Sequence, residues 1–162
     1  MSVALVQAAD DPTVEIRAQF VQASQAVIKG DADAILDSTY PGLIDRVGGR
    51  AEMRAKVIES LIDLRHRKLS VQRTEVVSIS QPVEAGEELH SVVRAKRVMQ
   101  GPGGRQIQDT FVIAVSSDQG KSWTFVDGQQ LTPQHILALF PNYNKALVLP
   151  RTAPPVMEDG ES

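Results

Sequence analysis

The chain has 162 residues, 42% of them hydrophobic and 23% charged, with a formal net charge of −3. That size gives room for one real core, and the balance argues against a general nucleic-acid binder, which shows a basic excess, and against a wholly disordered chain. There is no cysteine, so disulfides, thiolate chemistry and cysteine-ligated metal centres are excluded, and the aromatic residues are few: four Phe, two Tyr and one Trp.

Taken from the start, residues 1–11 are expected to be a flexible N-terminus or the remnant of an export signal. Val6-Gln7-Ala8 followed by Ala9 resembles the small-residue end of a cleaved signal peptide, although no basic stretch precedes it. On that feature a periplasmic or secreted location is favoured over a cytoplasmic one. Asp11 and Pro12 form a helix start, and Ile16, Phe20, Ala23 and Val27 follow at helical spacing until Gly30. Asp31 caps a short second helix through Ile35 and Leu36, which Pro41-Gly42 ends. A third helix is predicted over about Arg50 to Arg67, with a stripe of Met53, Val57, Ile58, Leu61, Ile62 and Leu64 opposite a mixed charged face.

From Leu69 the hydrophobic period changes from helical to alternating. Four strands are predicted, Leu69–Ser80, Glu88–Gln100, Arg105–Ser117 and Lys121–Asp127, joined by turns at Pro82 to Gly86, Gly101 to Gly104 and Asp118 to Gly120. A last short helix starts at Thr132-Pro133 and runs to about Phe140. Residues 12–149 read as one domain and 150–162 as a disordered acidic tail. Helices first and an antiparallel meander afterwards is an α+β order. No apolar run is long enough to span a bilayer.

Centring the three hairpins near Ala85, at Pro102 and at Gln119 puts the odd-numbered residues on one face. Leu89, Val93, Ile107, Phe111, Ile113, Val115, Trp123 and Phe125 make that face apolar, so it is the one the helices should cover. Ser116-Ser117-Asp118-Gln119-Gly120-Lys121-Ser122-Trp123 matches the Asp-box pattern S-x-D-x-G-x-x-W. In that hairpin the Asp side chain bonds turn amides, the Gly takes a positive φ and the Trp packs on the hairpin base. A single copy cannot make a propeller, so it reads as a well-built turn.

Three N-terminal helices followed by a curved four-stranded antiparallel sheet whose concave face they cover, with a short C-terminal helix, resemble the nuclear transport factor 2-like superfamily. This is the cone fold of ketosteroid isomerase and scytalone dehydratase. The resemblance covers residues 12–140 and rests on element order, with Gly30-Asp31-Ala32-Asp33, Tyr40-Pro41-Gly42-Leu43 and Gly120-Lys121-Ser122-Trp123-Thr124-Phe125 as its local features. They look like bacterial members of unassigned function. The resemblance implies a pocket opening from the cone and a homodimer formed through the convex face of the sheet.

The chemistry available to such a pocket is limited. His66, His90 and His135 are not spaced with one another or with carboxylates as metal ligands are, and read as partly exposed surface residues. Neither a metal nor a cofactor is expected. Gly101-Pro102-Gly103-Gly104 lacks the strand–loop–helix context of a phosphate cradle. In the register above, the apolar alternation of the inward face breaks at Arg73, Glu75, Arg97, Asp109 and Asp127, which form one polar belt. Tyr40 adds a hydroxyl at the rim. The belt is either a set of mutually neutralising charges or the lining of a pocket that orients a small apolar or amphipathic ligand.

The isomerase branch needs an Asp base with a Tyr and a protonated Asp at the oxyanion. Two arginines would keep these carboxylates ionised, and the first helix offers Gln19 and Phe20 where a tyrosine is wanted. The expectation is therefore a non-catalytic cone-fold domain that binds a small molecule or a protein partner. The alternative is an isomerase or lyase with Asp109 or Asp127 as general base.

Overall fold

Asp11 opens the first helix as a cap. Its carboxylate accepts from the Thr13 amide at 3.0 Å, and Pro12 occupies the first turn, where no amide proton is needed. The computed structural model describes residues 11–129, 131–151 and 153–158, so the proposed signal remnant in residues 1–10 lies outside the described residues. α1 spans Pro12–Lys29 and stops at Gly30, whose φ of 68° lies in the left-handed region. Asp31 caps α2, Ala32–Asp37, by accepting from the Ala34 amide.

The second helix ends at Asp37, short of Pro41, and Pro41 begins another. α3 spans Pro41–Arg46 and α4 Arg50–His66, so four helices precede the sheet where three were expected. Between α2 and α3 the chain runs extended and docks on the last long strand. The Phe125 amide donates to Ser38 O at 2.8 Å and the Tyr40 amide to Phe125 O at 3.1 Å.

The sheet strands are β1 (Ser70–Ile79), β2 (Val83–Ala85), β3 (Glu88–Gly101), β4 (Gly104–Ser116), β5 (Thr124–Asp127) and β6 (Val156–Met157). The protein is α+β, with an open antiparallel sheet of six strands and five helices among the described residues. The long strands lie in the order β1-β3-β4-β5; β2 extends the pairing along β3, and β6 pairs with β4 beyond the end of β5. The two additional strands fall in the stretch read as the first turn and in residues 150–162, read as the acidic tail. α5, Pro133–Leu139, closes the main run, capped by Thr132 as expected.

The register differs from expectation by one residue at each hairpin. Gly101 pairs with Gly104 across a two-residue turn, so Ala95 faces Thr110 and Lys96 faces Asp109. In the next hairpin Val115 faces Thr124 and Ile113 faces Val126. In the first, Glu75 faces Lys96 and Arg73 faces Val98, with two irregularities along β1. A slip of one residue moves a side chain to the other face. The two slips about β4 cancel between β3 and β5, which keep their relative orientation, while β4 and the middle of β1 are inverted.

The sheet consequently carries two cores. On the α1 side, Ile16 and Phe20 pack with Val93, Ala95, Ala114, Trp123 and Phe125. On the other, Val92, Phe111, Ile113, Val115 and Val126 pack with Ile136, Leu139, Phe140 and Leu147. Phe111, Trp123 and Phe125, expected on one face, are thus divided. Phe20 meets Phe125 edge-on with centroids 5.7 Å apart, while Phe111 and Phe140 belong to the α5 side.

Candidate functional site

Small and mid-sized side chains on the α1 face leave a space that the helices roof without filling. A cavity of about 540 Å³ lies between the sheet and α1 to α4. Phe20, Ala23 and Val27 of α1, Ile35 of α2, Leu43 and Val47 at α3, and Met53 of α4 supply much of its wall, with Val112, Phe125, Val126 and Leu131 from the sheet side. α4 has no fully buried residue and reaches the cavity through Met53, so it lies over the space as a loosely seated cover.

The polar groups in the wall are few. Ser24, Ser38, Thr39 and Thr74 contribute hydroxyls, and Thr110, Arg97, Arg46, Asp127 and His135 complete the set. Arg97 faces Gln108, Thr110 faces Ala95, and Asp127 faces Val112. The three residues Arg97, Thr110 and Asp127 therefore step diagonally across β3, β4 and β5. The Asp127 carboxylate accepts from the Gln129 amide at 3.0 Å. The Arg97 Nε and the Thr110 Oγ1 are buried without a hydrogen-bond partner.

Of the five residues read as a polar belt and Tyr40 at its rim, the structure brings Arg97 and Asp127 to the cavity and parts the other four from it. Arg73 and Glu75 bond each other at 2.7 Å on the exposed opposite surface of β1. Asp109 is likewise exposed on the opposite face, because the slip in β4 exchanges it for Thr110. Tyr40 does not line the cavity. Its ring packs on Phe140 with centroids 5.2 Å apart and its hydroxyl donates to Glu88 Oε2 at 2.7 Å. Burial, and then the bond to the Glu88 carboxylate, push the Tyr40 phenol well above its ordinary range.

That contact belongs to a small buried network the sequence did not announce. Glu88 Oε1 also meets His90 Nε2 at 3.1 Å, and the His90 ring stands edge-on to Phe140. His90 is 1% exposed, not a surface histidine, and lies on the α5 side, away from the cavity. The network ties the Tyr40 junction to the start of β3, and it leaves His90 Nδ1 buried without a hydrogen-bond partner. His66 is exposed at the end of α4, and exposed His135 borders the cavity.

The Asp-box hairpin has the predicted construction. Asp118 accepts from the Ser122 amide at 2.9 Å and from the hydroxyls of Ser122 and Ser116. Gly120 has φ 93°, and the Trp123 indole N–H donates to Gly120 O at 3.1 Å. The Ser122 hydroxyl leads the hydrogen bonds that hold Asp118 down to a pKa of about 2. Gln19 of α1, considered only as a non-tyrosine, clamps this hairpin: it accepts from the Trp123 amide at 2.7 Å and donates to Lys121 O at 3.1 Å.

No protein-family profile, no curated protein and no solved structure matches the chain. Among the described residues no helix is long and apolar enough to cross a membrane, and no cluster of three or more His, Asp or Glu side chains is arranged to hold a metal ion.

Proposed function

We propose that this chain is a non-catalytic domain of the nuclear transport factor 2-like kind that binds a small, largely apolar molecule in the cavity beneath α1 to α4. The observation that carries this reading is the cavity itself. Its volume of about 540 Å³ falls within the ordinary range for small-molecule sites, and its wall is apolar with a few separated polar groups. The polar groups it does contain, Arg97, Thr110 and Asp127, are spread over three strands, which suits orientation of a ligand better than bond-making. Helices preceding an antiparallel sheet support the family assignment. The homodimer implied by that assignment has only part of the opposite sheet face to use, since Ile136, Leu139, Phe140 and Leu147 cover some of it.

A neutral apolar fluorophore, N-phenyl-1-naphthylamine, tests the reading. Saturable one-site fluorescence enhancement is expected, weakened tenfold or more in Val112→Trp, which fills the cavity while circular dichroism stays unchanged. Absence of saturable binding, or binding indifferent to Val112→Trp, overturns it. The alternative, an isomerase or lyase, now rests on Asp127 alone, because only that candidate base lines the cavity. Deuterium exchange into a bound ketone, lost in Asp127→Asn, would replace the non-catalytic reading with the catalytic one.

A further inference from the structure

We propose that the molecule held in the cavity ends in a carboxylate, seated on the Arg97 guanidinium and the Thr110 hydroxyl, with its apolar body directed along the helix-roofed wall. The inference rests on the ligand-binding reading above and adds the chemical class. Thr110 is only 5% exposed, yet its Oγ1 has no partner, and the buried Arg97 Nε has none either. Two orphaned polar atoms on one cavity wall are costly unless something supplies the missing bonds. Arg97 and Thr110 are diagonal neighbours on adjacent strands, close enough for one small group to touch both.

Charge decides what that group is. Arg97 forms no ion pair among the described residues; Asp63, which borders the outer groove beside it on α4, is bonded to Arg67 at 3.5 Å. Glu59 borders the same groove and does not close on Arg97 either. Among the residues that line the cavity, the guanidinium groups of half-buried Arg97 and exposed Arg46 outnumber the one carboxylate, that of exposed Asp127. An anion is therefore favoured, and Asp127, on the far side of Thr110, drives it toward the Arg97 end. One guanidinium with its Nε buried and one buried hydroxyl match the two oxygens and single charge of a carboxylate, since Arg presents parallel N–H donors to such a group. A phosphate monoester would bring more charge and a third oxygen than these groups can satisfy. Phe20, Val27, Ile35, Met53, Val112 and Leu131 give the remainder of the ligand an apolar wall.

The experiment is displacement of N-phenyl-1-naphthylamine from the full chain by decanoate, decanol and decyl phosphate at neutral pH. Decanoate is expected to bind about tenfold or more tightly than decanol, the worth of one charge-assisted contact. Arg97→Met is expected to bring the two together while still binding the neutral probe, and Thr110→Val to weaken decanoate several-fold without affecting decanol. An Arg97 that serves only to brace α4 would change thermal stability on substitution and leave the acid-to-alcohol ratio where it was. Equal affinity for acid and alcohol in the unaltered protein, discrimination that survives Arg97→Met, or tighter binding of decyl phosphate overturns the proposal. Should Arg97→Met not fold, Arg97→Gln takes its place and the ratio in the unaltered protein decides. Probe binding without acid preference sinks the carboxylate alone. If the probe does not bind, the cavity reading falls and the carboxylate with it.

Discussion

The Asp-box hairpin and the cavity wall adjoin on one face of the sheet and treat their polar groups in opposite ways. In the hairpin, Ser116, Asp118, Ser122, the Trp123 indole and Gln19 are bonded to one another or to the backbone. In the wall, Arg97 Nε and Thr110 Oγ1 are buried and bonded to nothing. Both regions use polar residues on the α1 side of the sheet. One spends them on holding a turn; the other leaves them open. Unsatisfied groups in a native structure call for an explanation, and of these two regions only the wall holds them.

The comparison can be broken from either side. The largest expected effect is on the hairpin. Trp123→Ala removes a buried indole and is expected to cost about 3–5 kcal/mol in denaturant unfolding. Gln19→Ala strips the buried Trp123 amide of its partner and is expected to cost about 1–3 kcal/mol. Neither should change the acid-to-alcohol ratio of the cavity, because neither touches Arg97 or Thr110. The wall is expected to behave in the reverse way. Thr110→Val replaces an unbonded hydroxyl by a methyl group of the same shape, and should raise the stability of the ligand-free protein by about 1 kcal/mol. A loss of stability there would show that the hydroxyl is satisfied in solution.

The smallest effect concerns acid. Asp118 titrates at about 2 in the folded chain against an ordinary 3.8, so its contribution is fully present above about pH 4. It is lost as the pH falls through the folded value. Asp118→Asn should flatten that part of the stability profile, measured by thermal unfolding between pH 4 and pH 2.

Much of the local structure was legible. Asp11, Asp31 and Thr132 are caps, Gly30 is a stop and the Asp-box is a hairpin, because each depends on neighbours in sequence. Register was not legible. It depends on whether a turn holds two residues or three, and Gly101-Pro102-Gly103-Gly104 allows either. Alternation did not help, since both faces of β4 are buried: Phe111, Ile113 and Val115 serve the α5 side, while Val112 and Ala114 serve the α1 side. The more apolar set was assigned to the helices, which exchanged Thr110 for Asp109. Arg97 and Asp127 were placed on one face because the two slips cancel between their strands. The contact of half-buried Glu88 with buried His90 gave no signal, as it depends on Tyr40 arriving from far along the chain.

The docking of Ser38–Tyr40 on Phe125 has a consequence for how the molecule assembles. It joins segments far apart in the chain, and closing so long a loop is an entropic cost that local hairpins do not bear. The β4–β5 ribbon has to exist before the α2–α3 segment can add to its edge. The helices over the cavity are thereby tied to the sheet by two backbone hydrogen bonds at Phe125. Added to the sheet in this way, the segment also occupies the open side of β5, which would otherwise offer its amides to another chain.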